Sequence, residues 1–110
     1  MLEEVDVSNN PLKSITIKAP LSSLKKLNAN GTFVTQLDDL TRLQSLEELN
    51  LKNCIHLRSI AVLFYRVGDN WQCKLNRLKK LSISEEFLDD NSKAILANLK
   101  AQKDNKLSIQ

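Results

Sequence analysis

Apolar residues recur along this chain at a spacing that neither a helix nor a strand explains alone. Between Leu46 and Leu57, the residues Leu46, Leu49, Leu51, Cys54 and Leu57 are apolar, and those among them are mostly charged or amide. Leu49-Asn50-Leu51 has strand period, in which neighbouring side chains point to opposite faces. Cys54 and Leu57 then break the alternation, so the chain must turn while still burying them. The same spacing, with a last step of two residues instead of three, returns in Leu2, Val5, Val7, Asn10 and Leu12, again in Leu24, Leu27, Ala29, Thr32 and Val34, and again in Leu78, Leu81, Ile83, Glu86 and Leu88. A partial fifth unit runs from Asp104 through Leu107 and Ile109. The starts near 2, 24, 46, 78 and 104 are separated by 22, 22, 32 and 26 residues. Self-similarity at such a period predicts one domain over 1–110, built of four to five stacked units, with an insertion at about 61–75.

Each unit has one short strand and cannot bury its apolar side alone. Stacking gives a parallel sheet with a continuous core behind it. Leu37, Leu40, Leu43 and Leu46 recur every third residue, which suits a 3₁₀ turn on the return path. In the insertion, Ile60, Leu63, Phe64 and Val67 predict one short helix, followed by a turn at Gly68-Asp69-Asn70. Asp90 or Asn91 caps a helix from about Ser92 to Gln102, whose apolar side is Ala94, Ile95, Leu96, Ala97 and Leu99.

The unit L-x-x-L-x-L-x-x-N/C-x-L resembles the leucine-rich repeat. Leu2 to Leu12 matches with Asn10 in the ninth place, and the unit from Leu46 matches the variant with Cys54 there. Thr32 holds that place in the second unit, and Glu86 departs from the pattern in the fourth. The resemblance covers nearly the whole chain and implies an α/β leucine-rich repeat solenoid, a horseshoe arc. Its parallel β-sheet would line the concave face, with short 3₁₀ and α segments on the convex face. It also implies that the ninth residue points inward and satisfies backbone groups where the chain leaves the strand. Met1 stands one residue before the first unit and Gln110 just after the fifth strand begins. The expectation is a fragment or a chain without caps, able to self-associate end to end through its termini.

Composition narrows the function classes. The formal charge of +3, from 16 Lys and Arg against 13 Asp and Glu, is small and evenly scattered, which argues against nucleic acid as a partner. Neither a signal peptide nor an apolar run long enough for a membrane span is found. With two cysteines, Cys54 and Cys73, there is no disulfide framework. A reducing, cytoplasmic setting is therefore expected, and no membrane partner. His56 and Cys54 lie on one turn without further ligands, so neither a metal site nor a cofactor is expected. Cys54 in an inward place is a structural residue rather than a nucleophile. Asn30-Gly31-Thr32 is a glycosylation sequon without a secretory signal.

What remains is the strand side chains pointing away from the core. The third place of the units holds Glu4, Lys26, Glu48 and Lys80, and the second place Glu3, Lys25, Glu47 and Lys79. Acidic and basic rungs alternate, either as a ladder relieving like-charge repulsion between strands or as a charged rim that selects a partner. Deeper positions are Asp6, Asn28, Asn50, Ser82 and Ser108, then Ser8, Asn30, Lys52, Ser84 and Gln110. The protein-binding candidates are thus Glu4, Asp6, Lys26, Asn28, Asn30, Glu48, Asn50, Lys52, Lys80 and Ser82. Trp71 joins them either as core filler around the insertion or as a partner anchor on it. The expected function is a non-catalytic protein–protein interaction module, with another protein as partner. The resemblance implies settings such as the recognition part of an immune sensor, a ubiquitin-ligase receptor, or a bacterial effector delivered into a host cell. The alternative is an enzyme regulator that occludes a partner's active site, or an accessory region of a multidomain enzyme.

Overall fold

The computed structural model describes residues 2–16 and 22–110. Five strands form one parallel sheet in the order β1 (Glu4–Asp6), β2 (Lys26–Asn28), β3 (Glu48–Leu51), β6 (Lys80–Ile83) and β7 (Ser108–Ile109). The chain is α/β, with one α-helix among the described residues, α1 (Asp90–Ala101), and 3₁₀ segments at Asp38–Arg42, Ala61–Leu63 and Glu85–Phe87. The radius of gyration is 13.2 Å, close to that of a compact domain of this length, and the described residues display no horseshoe arc.

The period of the apolar pattern sets the register. Val5, Leu27, Leu49 and Leu81 are aligned across β1, β2, β3 and β6, as are Glu4, Lys26, Glu48 and Lys80. The inward leucines merge with those of the return paths into one core, in which Leu24, Leu37, Leu40, Leu43, Leu46 and Leu57 are at most 1% exposed. Each such burial contributes about 1.5–3 kcal/mol before the cost of ordering the chain. The return path does form the expected 3₁₀ segment, at Asp38–Arg42, with Leu40 its buried residue and Leu37 and Leu43 at its two ends.

The turn after each of β1, β2 and β3 repeats as closely as the strand, whereas β6 leads into the 3₁₀ segment at Glu85–Phe87. Asn9, Gly31 and Asn53 occupy equivalent places and all have positive φ, at 59°, 73° and 58°. Asn and Gly tolerate that conformation best among the residues, which is why the units can turn there. The inward polar residues follow. Thr32 Oγ1 donates to the Ala29 carbonyl at 2.9 Å, and the Cys54 thiol donates to the same carbonyl at 3.2 Å. Asn10 lies at the exposed end of this column and donates to the carbonyls of Val7 and Ser8. Glu86, exposed, does not continue it.

Three expectations need correction. The short helix proposed for Ile60, Leu63, Phe64 and Val67 is a 3₁₀ turn followed by an antiparallel hairpin of β4 (Phe64–Val67) and β5 (Asn70–Cys73). Its two-residue turn has Gly68 at φ 61°, matching a type II′ hairpin, whose twist suits the strands. Helix α1 begins two residues earlier than expected, because Asp89 is the N-cap and accepts from the Ser92 N–H at 2.8 Å. Ala94 and Ala97 are exposed, and the buried face is Ser92, Ile95, Leu96 and Leu99. Finally, β7 is displaced by two residues: Ile109, not Leu107, lies beside Leu81, and Ser108 lies beside Lys80 rather than Ser82. A two-residue shift preserves which side chains face the core, so the apolar pattern does not forbid it.

The hairpin and helix brace the far end of the sheet. Asn98 on α1 accepts from the Trp71 N–H at 2.9 Å and donates to the Asp69 carbonyl, and Gln102 donates to the Trp71 carbonyl. The buried Ser92 hydroxyl accepts from the Ile60 N–H at 3.0 Å. Among the described residues no helix is long and apolar enough to cross a membrane.

Candidate protein-binding groove

The sheet's open face carries a groove of about 450 Å³, lined by eight of the candidate residues: Glu4, Asp6, Lys26, Asn28, Glu48, Asn50, Lys80 and Ser82. They converge because strand period sends every second side chain outward and the parallel register aligns those positions. Asn30 and Lys52 lie beyond the groove on the turns, where Asn30 Oδ1 accepts from Asn53 Nδ2 at 3.2 Å. Trp71 is placed elsewhere: half-buried on the hairpin, it packs on the core and is tied to α1.

The charged rungs are unevenly used. Lys26 Nζ lies 3.1 Å from Glu48 and 3.5 Å from Glu4, while Lys25 pairs with Glu3 and Lys79 with Glu47. The Glu48 hydrogen bond and charge, and then Glu4, push the Lys26 ammonium above its ordinary value. Lys80 is the exception. Glu48 is its register neighbour on β3, yet Lys80 makes no ion pair among the described residues, because Glu48 turns to Lys26. On its other side stands Ser108, which carries no charge.

The middle row does structural work that residue type alone did not reveal. Asp6, Asn28 and Asn50 each accept, through Oδ1, the N–H two residues ahead, at 2.9, 3.1 and 3.0 Å. These Asx turns help fold the chain off each strand. Hydrogen bonds from the Ser8 hydroxyl, and then from its N–H, hold the Asp6 carboxyl below its ordinary value. An Asx three places before Asn9, Gly31 and Asn53 was the sequence signal for this role.

A second feature was also missed. Phe33 and Ile55 stand in equivalent places just after their turns and are 38% and 47% exposed. The Phe33 ring meets His56 edge-on, with centroids 5.1 Å apart. His56 therefore sits on the surface, whereas the Cys54 thiol is buried against Ala29 and Thr32. The two do not form a nucleophile–base pair. Among the described residues no group of three or more His, Cys, Asp or Glu could hold a metal ion. The sequon threonine, Thr32, is fully buried.

Comparison with family models, with curated proteins and with solved structures finds no match for this chain.

Proposed function

We propose that the chain is a non-catalytic protein–protein interaction module of leucine-rich repeat type, which presents the open face of its sheet to another protein. The observation that carries this reading is the groove: one shallow surface collects four outward rungs of alternating charge, two amides and a serine. The repeat assignment rests on the aligned leucines, the recurring positive-φ turn, and the Thr32–Cys54 column behind the sheet. A row of polar side chains on short, rigid strands favours recognition by many directed hydrogen bonds rather than by one aromatic anchor.

Photo-crosslinking tests the reading. A crosslinking residue replaces Lys52, at the groove rim, or Lys93, on the exposed side of α1. In lysate of the source cells, the Lys52 site should capture a discrete protein that excess wild-type chain displaces. A competitor carrying Glu48→Lys and Lys80→Glu should not displace it. Capture from Lys93 alone, or equal displacement by both competitors, overturns the sheet-face reading.

A further inference from the structure

The groove is not symmetric in what it offers a ligand. Asn28 and Asn50 have each committed Oδ1 to their own turns, so both amides are held with Nδ2 outward. Neither Nδ2 has a protein partner among the described residues. Ser82, 9% exposed, aligns with Asn50 across the β3–β6 pairing, and its hydroxyl has no partner there either. Lys80 stands two residues before Ser82 on the same face, half-buried and without an ion pair. Strands lie about 4.8 Å apart and alternate residues about 6.6 Å apart, so Asn50, Ser82 and Lys80 take three corners of one spot of carboxylate size, and Glu48, drawn to Lys26, takes the fourth. Those three carry donors into the groove: an amide, a hydroxyl and an ammonium. At the opposite end of the groove, Glu4 and Asp6 present acceptors and negative charge.

We propose that Lys80, Ser82 and Asn50 form a carboxylate seat, which takes an acidic side chain from the partner protein. Asn28 extends the donor row toward a neighbouring acceptor of the same segment. The inference deepens the sheet-face reading and rests on it. A carboxylate there supplies the counter-ion that Glu48 withholds and satisfies the free donors with charge-assisted hydrogen bonds. A second carboxylate over β1 meets Glu4 and Asp6 and is repelled, which fixes the direction in which the segment lies.

The test is an NMR titration of the whole chain, labelled with ¹⁵N, following the side-chain amides of Asn28 and Asn50. The probes are acetylated, amidated peptides of four glutamates, four glutamines or four lysines. The glutamate peptide should shift both amides, and the other two should leave them in place. Lys80→Gln should weaken its binding about tenfold, the loss of one hydrogen bond to a charged group. Asn50→Asp is the sharper variant. Asp6 already makes the same turn with a carboxylate, so the fold is retained while the seat becomes anionic, and glutamate binding should be lost. Equal shifts from the glutamine peptide, or shifts from the lysine peptide alone, overturn the seat. If no peptide shifts the amides while Lys52 still crosslinks a partner, the seat fails and the sheet-face reading stands. If the crosslink fails as well, both fall.

Discussion

The Cys54 thiol donates across the stack to the carbonyl oxygen of Ala29, 25 residues away in sequence, at 3.2 Å. Ala29 also accepts from the Thr32 hydroxyl, and Thr32 Oγ1 lies 3.5 Å from Cys54 Sγ. One carbonyl thus joins two adjacent units behind the sheet. Cys54 is 2% exposed, so a thiol reagent reaches it only when this junction opens. Cys73 is held back differently: burial pushes its thiol above the ordinary value, which lowers the thiolate fraction at neutral pH. Both cysteines should therefore label slowly in buffer and together, at the unfolding midpoint, in denaturant. Cys54→Ala should cost on the order of 2 kcal/mol, as lost packing plus a lost hydrogen bond. Rapid native labelling, located on Cys54 by peptide mapping, would contradict the packing.

Gly31 is the turn residue least open to substitution. Its φ of 73° disfavours any side chain, and an added Cβ would lie 2.7 Å from Asn9 Oδ1 in the preceding unit. Gly68 has a similar φ of 61° but open space around it. Gly68→Ala should cost about 1–2 kcal/mol from the backbone alone, and Gly31→Ala should cost more. Combining Asn9→Gly with Gly31→Ala removes the contact and should recover the excess, as read from urea midpoints. Equal costs for the two single variants would show that the Asn9 contact is unimportant.

Asp89 links helix α1 to pH. The Ser92 N–H, and then the Ser92 hydroxyl, hold its carboxyl below the ordinary value of 3.8. A folded-state value below the unfolded one adds stability at neutral pH. That stability fades as pH falls through 3.8 toward the folded value. Asp89→Asn keeps an N-cap but does not titrate. The wild type should therefore melt above Asp89→Asn at pH 7, and the gap in Tm should close as the buffer is brought to pH 2. A constant gap would mean that the cap charge is irrelevant.

The sequence made the sheet legible because two constraints coincide in it. Strand period fixes which residues face inward, and the 22-residue step between Leu27 and Leu49 fixes which strands align. The fifth strand has only Leu107 and Ile109 to set its register, and a two-residue slip keeps both facing the core side. The hairpin was misread because Leu63 and Phe64 are adjacent and both buried, which suits a helix as well as a strand entry. Phe64-Tyr65-Arg66-Val67 before Gly68-Asp69 is nevertheless a β-rich run at a hairpin turn. The groove was legible as a set of residues and illegible as a set of bonds. Residue types show that Lys80 follows Glu48 in the ladder, but not that Lys26 has taken that carboxylate.

That asymmetry gives the last prediction. The carboxylate of Glu48 lies 3.1 Å from Lys26 Nζ, and Lys80 is left without it. A double-mutant cycle between Lys26→Met and Glu48→Gln should show favourable coupling at low ionic strength. The cycle between Lys80→Met and Glu48→Gln should show little. Both groups of the Lys26 pair are exposed, so the coupling should disappear in 1 M salt, where the screening length is about 3 Å. The sign with pH is also fixed. Glu48 and Glu4 raise the folded-state value of Lys26 above the ordinary 10.5, so its contribution is complete below that pH and is lost as pH rises through the folded value. In Lys26→Met, Glu48 has lost its nearest cation and Lys80 becomes the next available. The Lys80–Glu48 coupling should then emerge, and the glutamate peptide should bind more weakly because its seat has acquired an internal counter-ion. Unchanged peptide affinity in Lys26→Met would show that the cation at Lys80 is not what the ligand reads.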